Sequence, residues 1–189
     1  MAVVTFWGET SKEIGQTYSI ATIATNIAAN HNQRILVISI DANDTTLENC
    51  FWDPKKTNQQ KQLLGIDKKV NVDSGVEGLA KAVSTGRATP ENISNYTKVV
   101  FEGRLEVLKG YQGKNAEMYN KIRAYYPEII KIANRHYDLV LVDLGKGYTK
   151  FAKAILESSD LILFGISQTM STIETYAGIK KQNLLRTKR

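Results

Sequence analysis

Three residues of types that could hold a phosphate stand together near the start of the chain. Gly15, Gln16 and Thr17 close the stretch Thr5-Phe6-Trp7-Gly8-Glu9-Thr10-Ser11-Lys12-Glu13-Ile14 and open a helical pattern. In a phosphate-binding loop a glycine lets backbone N–H groups curl round the anion, a lysine neutralises its outer oxygens, and a Ser or Thr hydroxyl holds Mg²⁺. Here the glycine and the hydroxyl are present, and Gln16 stands where the lysine would be. An amide donates a hydrogen bond but brings no charge to a transferring phosphoryl group, whose stabilisation is mostly electrostatic. Lys12 is one cation inside the stretch, with Glu13 beside it. Taken alone, the same residues also read as a plain polar turn from a strand into a helix.

Two carboxylates end apolar runs. Asp41 follows Ile35-Leu36-Val37-Ile38 by way of Ser39 and Ile40, and Asp143 ends Leu139-Val140-Leu141-Val142 ahead of the turn Leu144-Gly145-Lys146-Gly147. Each reads either as a ligand at the end of a strand or as a cap for its turn. Cys50 is the single cysteine, which excludes an internal disulfide, and His31 and His136 follow predicted helices, so these three suggest no metal site or nucleophile.

The elements that must position these groups alternate. Ala2 to Phe6 is a short apolar run, and Thr17 to Ala29 carries Ile20, Ile23 and Ile27 at helical spacing beside Ala21, Ala24 and Ala28. The runs Ile35–Ile38, Leu139–Val142 and Leu161–Phe164 are continuous, as expected of strands covered on both faces in a parallel sheet. Residues 41–72 read as polar and irregular, anchored by Cys50-Phe51-Trp52. Val76, Leu79, Ala80 and Val83 mark a helix, and Thr89-Pro90-Glu91-Asn92 predicts a helical turn that starts on its proline. Arg104 to Leu108 alternates as a strand, and Pro127 begins or kinks a helix towards His136. A last helix is expected to carry Ile173, Ala177 and Leu184 on one stripe.

With 189 residues, 42% hydrophobic and 23% charged, the chain suits one globular domain rather than a disordered or membrane-spanning one. It has neither a long apolar span nor a basic-then-apolar N-terminus, which predicts a cytoplasmic protein with no transmembrane segment. The formal charge of +6 is concentrated at the end. Residues Lys180 to Arg189 hold five of the 25 basic side chains and no acid, leaving 20 basic against 19 acidic elsewhere. Such a tail is either a solvated or frayed terminus or a contact for nucleic acid, anionic lipid or an acidic protein surface.

Taken in order, the glycine turn into a helix, the aspartate after the second apolar run, Leu105-Glu106-Val107-Leu108-Lys109-Gly110, and Tyr137-Asp138-Leu139-Val140-Leu141-Val142-Asp143 resemble the ParA/MinD family of deviant-Walker nucleotide-binding proteins. Gly78-Leu79 with Thr89-Pro90-Glu91-Asn92 resembles the family's middle segment, and Ser167-Gln168 lies where a conformationally active loop follows a strand. The resemblance covers nearly the whole chain. It implies an α/β P-loop fold, Rossmann-like, with a mainly parallel sheet flanked by helices in three layers. It also implies a single domain over residues 1–189 that stops short of the family's last strand and helix.

The resemblance further implies ATP or ADP with Mg²⁺ as cofactor. Lys12, Gly15, Gln16, Thr17, Tyr18 and Asp41 would then line the nucleotide, and Thr17 with the Walker B aspartate Asp143 would serve the metal. Departures are equally specific. In the family's Lys-Gly-Gly-x-Gly-Lys-Thr loop the first lysine reaches the partner subunit's nucleotide; Ser11 stands there, and Gln16 stands at the second lysine. The family's Asp-x-Asp-Pro-Gln becomes Ser39-Ile40-Asp41-Ala42-Asn43, so the aspartate that positions the attacking water is a serine. At about 1.5–3 kcal/mol per charge-assisted bond, two lost lysines predict weak or absent nucleotide binding and no efficient hydrolysis. The implied role is a positioning, partitioning or assembly factor, TadZ-like in its atypical loop, acting through protein partners and as a possible homodimer. The rival is an ATP-dependent DNA-partitioning switch. Deleting residues 180–189 is expected to abolish any retention on nonspecific DNA, measured by gel shift across a salt series; unchanged retention would refute a DNA role for the tail.

Overall fold

The computed structural model describes residues 1–8, 15–53, 74–147, 149–167 and 169–181. Lys12, Ser11, Gln168 and the tail residues 182–189 lie outside them. Six strands form one sheet: β1 (Ala2–Gly8), β2 (Ile35–Ser39), β3 (Lys98–Phe101), β4 (Leu105–Leu108), β5 (Leu139–Lys146) and β6 (Leu161–Gly165). Their order is β3-β4-β2-β5-β1-β6, and every neighbouring pair is parallel except β3–β4. Because β5 lies between β1 and β2, its register sets Asp143 level with Phe6 on one side and Ser39 on the other. The candidate carboxylate therefore sits where three parallel strands end together, the usual place for a ligand crevice in an open α/β sheet.

Side-chain alternation divides the core into two faces. Ile35, Val37 and Leu141 point to the layer containing α1 (Gln16–Asn30) and α2 (Thr46–Phe51), and meet Ile20, Ala21, Ala24, Ala28 and Leu47. Alanines along α1 bring its axis close to the sheet. Leu36, Ile38, Val140 and Val142 point the other way, to α3 (Gly75–Ser84), α4 (Ala116–Arg123), α5 (Tyr126–His136) and α6 (Lys150–Ser158). The result is the expected three-layer α/β arrangement, with α7 (Met170–Lys181) following β6.

Several sequence expectations are corrected. Residues 41–53 are not wholly irregular: Asp44 Oδ1 accepts the Thr46 N–H at 2.8 Å and starts α2. Strand β3 and helix α4 are further elements that apolar periodicity alone does not reveal. The expected helical turn is present as the 3₁₀ turn Ile93–Tyr96, but it begins after Pro90, since Asn92 Oδ1 accepts the Thr89 N–H at 2.9 Å. Among the described residues β6 pairs with β1 alone, and it is not fully buried there: Leu161 is 51% exposed. Ile173 and Ala177 on α7 are exposed instead of forming a buried stripe, and Leu184 lies outside the described residues. Among the described residues no helix is long and apolar enough to cross a membrane.

Helix α5 is anchored beneath the end of β2 by Tyr126, whose fully buried hydroxyl donates to the Ser39 carbonyl at 3.0 Å. Burial holds that phenol well above its ordinary pKa, so it stays a donor at any working pH. Tyr126→Phe removes the donor and keeps the ring. It is expected to lower stability by about 1–3 kcal/mol, read as a shifted urea midpoint at unchanged m-value.

Candidate functional site

Gly15 adopts φ 64° and ψ 20°, a left-handed conformation that glycine takes without strain, and so turns the chain into the first residue of α1. Helix α1 thus points its N-terminus at the ends of β1 and β5, where unpaired backbone N–H groups favour an anion. No acidic residue stands in its first turn.

The side chains of the first two helical residues do not face outward. Gln16 Nε2 donates to Asp143 Oδ1 at 2.6 Å and lies 3.2 Å from the Phe6 carbonyl, while Thr17 Oγ1 donates to Asp143 Oδ2 at 2.7 Å. Both oxygens of the carboxylate are therefore occupied by α1. Asp143 is only 7% exposed, and burial raises its pKa despite the opposing hydrogen bonds from Thr17, Gln16 and the Gly145 backbone. The Asp143 carbonyl also accepts the Ile40 N–H at 3.1 Å, which fixes the end of β2 against β5.

Asp41 is packed onto the last residues of β5, so Leu144 to Lys146, expected as a turn, continue the strand. A Cβ at Gly145, where φ is 72°, would fall 2.4 Å from Asp41 Oδ2, so the absence of a side chain there makes room for the carboxylate. Gly110 performs the same service for the backbone, since a Cβ would lie 2.8 Å from the Asp41 carbonyl. The glycine of the Leu-Glu-Val-Leu-Lys-Gly segment thus permits close approach of β4 to the end of β2. Tyr119, stacked on Tyr111 with ring centroids 5.8 Å apart, donates to the Ile40 carbonyl at 2.9 Å, and Arg123 lies over the Phe151 ring at 4.2 Å. This aromatic support comes largely from α4, which the sequence reading missed. Its start was legible in Asn115, whose Oδ1 accepts from the N–H groups of Glu117 and Met118.

The site residues named from sequence therefore fall into groups. Gly15, Gln16, Thr17 and Asp143 are brought together; Asp41 stands nearby on Gly145. Tyr18 is 65% exposed and lines a groove of about 650 Å³ between α1 and α2, with Ala21, Thr25, Cys50 and Phe51. Lys12 lies outside the described residues. Glu48 is a buried group that the sequence does not flag: among the described residues neither carboxylate oxygen has a hydrogen-bond partner, and burial raises its pKa. Thr45-Thr46-Leu47-Glu48 has capping-box spacing, a signal for α2 that could have been read.

One hydroxyl and one carboxylate suit Mg²⁺, which takes one or two carboxylates and completes its shell with substrate oxygens and water. Among the described residues, no group of three or more His, Cys, Asp or Glu side chains could hold a metal unaided. The donor set therefore fits a magnesium ion that arrives with phosphate, and among the described residues no cationic side chain is hydrogen-bonded to Asp143.

No protein-family model and no curated protein matches the sequence. Solved structures do match in shape. A ParA family ATPase from Chlorobium tepidum superposes with a TM-score of 0.67 at 14% identity, over 96% of this chain and 67% of that one. The septum site-determining protein MinD from Pyrococcus horikoshii, complexed with Mg-ADP, gives 0.61 at 20% identity, over 96% and 66%. A plasmid partition protein from Borrelia burgdorferi gives 0.61 at 13% identity, over 98% and 76%. The fold is that of the ParA/MinD P-loop ATPases, and the chain spans about two thirds of the length of the first two.

Because Asp143 is easier to protonate when folded than when unfolded, its ionisation weakens the fold. The stability of the protonated form is fully present below the unfolded carboxyl pKa of about 3.9 and is lost as pH rises through the raised folded value. Asp143→Asn keeps the shape and a partner for each neighbour. It is expected to be more stable than the parent at pH 7, with the difference vanishing below about pH 4, in thermal melts taken across pH.

Proposed function

We propose that this chain is a ParA/MinD-like positioning, partitioning or assembly factor that works through protein partners, with weak or absent ATP hydrolysis. One observation carries the reading: the residue at the lysine position, Gln16, is hydrogen-bonded to Asp143 and the Phe6 carbonyl, so it is engaged inside the protein and brings no charge to a phosphate. Positioning and charge supply most of the catalysis in phosphoryl transfer, and this site retains the positioning elements while losing the charge. Ser39, buried at the end of β2 where the resembled family has its water-positioning aspartate, removes a second contributor.

A nucleotide with Mg²⁺ remains compatible with Gly15, Thr17 and Asp143, with the α1 N-terminus facing the phosphate and the Thr17 hydroxyl and Asp143 carboxylate facing the metal. Mg²⁺ would supply the positive charge that the described side chains at Asp143 do not. The Thr17 hydroxyl can keep its proton on Asp143 Oδ2 and offer a lone pair to the metal, so the existing hydrogen bond is compatible with Mg²⁺. Asp41 on its glycine shelf stands beside them, while Tyr18 lines the separate groove between α1 and α2 and Lys12 is close to Gly15 in sequence only. The fold similarity to partitioning proteins, one of them carrying Mg-ADP, supports an ancestral nucleotide face now used for recognition.

Calorimetry with ATP and Mg²⁺, combined with a phosphate-release assay, tests the reading. The expected result is weak or undetectable binding and no turnover, with Gln16→Lys tightening ATP binding by about 10- to 100-fold, the equivalent of one charge-assisted hydrogen bond. Tight binding with turnover by the unmodified chain would overturn it.

A further inference from the structure

Helix α4 ends on a cation that the described residues leave without an anion. The Arg123 guanidinium lies 4.2 Å from the centre of the Phe151 ring on α6 and 6.0 Å from that of Tyr119, one turn earlier on α4. Its Nη2 donates to Thr149 Oγ1 at 3.1 Å, and its Nε is buried with no acceptor. Nη1 likewise has no acceptor among the described residues but is not buried, so donors of the fork remain available to a ligand. No ion pair of the described residues involves Arg123, whereas Arg34, Lys131 and Lys153 each meet a carboxylate.

Thr149 also caps α6 by accepting the Ala152 N–H at 3.1 Å; the first turn of that helix holds no acid, and Lys150 at its start is exposed. The helix N-terminus and the guanidinium therefore meet at one hydroxyl, and both favour an anion. Two rings and a hydroxyl hold the arginine still without neutralising it.

We propose that Arg123 receives a carboxylate from an acidic segment of a protein partner, which rests on the reading of this chain as a factor that works through such partners. A guanidinium fork matches a carboxylate with two parallel hydrogen bonds. With Nε sealed, the group presents only its Nη side, which suits one planar carboxylate. A nucleic-acid backbone is instead held by several clustered cations rather than by a single fixed one. Because the side chain is already immobilised between two rings, docking costs it little entropy, and arginine beside tyrosine is a frequent composition of binding hot spots.

Fluorescence anisotropy of the full chain with labelled hexaglutamate, and with hexalysine as the control, tests this. Hexaglutamate is expected to bind and hexalysine is not. Arg123→Gln should weaken hexaglutamate by about 10- to 100-fold, the worth of one charge-assisted hydrogen bond, and Arg123→Lys should recover only part of the loss. Lys180→Gln combined with Lys181→Gln should change binding far less. A second readout needs no substitution: the buried Arg123 Nε–H exchanges slowly, so its nitrogen–proton NMR signal should be visible and should shift when hexaglutamate is added. Undiminished binding by Arg123→Gln, an equal loss from the two lysine substitutions, or an unmoved Arg123 signal overturns the proposal, as does a dependence on Arg123 shown by duplex DNA and not by hexaglutamate. Nucleotide binding and phosphate release are measured separately, so failure of the peptide titration leaves the weak or absent hydrolysis untouched.

Discussion

The Asp143 carboxylate is the constraint on which the site depends. It is buried where β1, β2 and β5 end, and it survives there because Gln16 and Thr17 donate to its two oxygens. A buried carboxylate without donors would cost several kcal/mol, so the first turn of α1 is held in place by the same group that a magnesium-dependent site would use. The amide of Gln16 extends the clamp to the Phe6 carbonyl and ties the end of β1 to the start of α1. Stability and chemistry thus compete for one residue.

The backbone supports around Asp143 thus stand beside a neutral residue at position 16. A lysine at position 16 would bring a charge capable of neutralising phosphate, whereas the glutamine is neutral and satisfies the interior. The Ser39 position tells a similar story: its carbonyl receives the Tyr126 hydroxyl and its residue is buried in the core, so the end of β2 is maintained by packing where an aspartate would face water. Around these points the supports are intact, from the glycine shelf under Asp41 to the stacked tyrosines beside it. The similarity in shape to ParA, MinD and plasmid partition proteins at 13–20% identity shows a shared fold, and fold alone does not fix chemistry.

The sequence was legible where local pattern and tertiary role agree. Continuous apolar runs identified β2 and β5 because both are buried on two sides, and the alanine-rich face of α1 announced close packing on the sheet. The same rule failed for β6, since an apolar run does not reveal whether the strand has one neighbour or two. Helices α2 and α4 were missed because their starts are carried by polar caps, Asp44 and Asn115, rather than by a long apolar stripe. The phosphate-loop residues could be named from type and spacing, but Tyr18 faces a groove instead of Asp143, a direction that helical phase and neighbours set together.

By itself the sequence determined the chemistry available: a glycine able to turn into a helix, an amide and a hydroxyl after it, two carboxylates at strand ends, and no lysine at positions 11 and 16. These are properties of residue type and order, which folding cannot alter. Only the tertiary structure decided where the groups point. Parallel pairing across β1, β5 and β2 brought residues 127 positions apart, Gln16 and Asp143, into a hydrogen bond, and burial turned that contact inward. Which strands pair on both sides among the described residues was likewise settled by sheet order, because the number of neighbours a strand acquires is a property of the whole chain rather than of any segment of it.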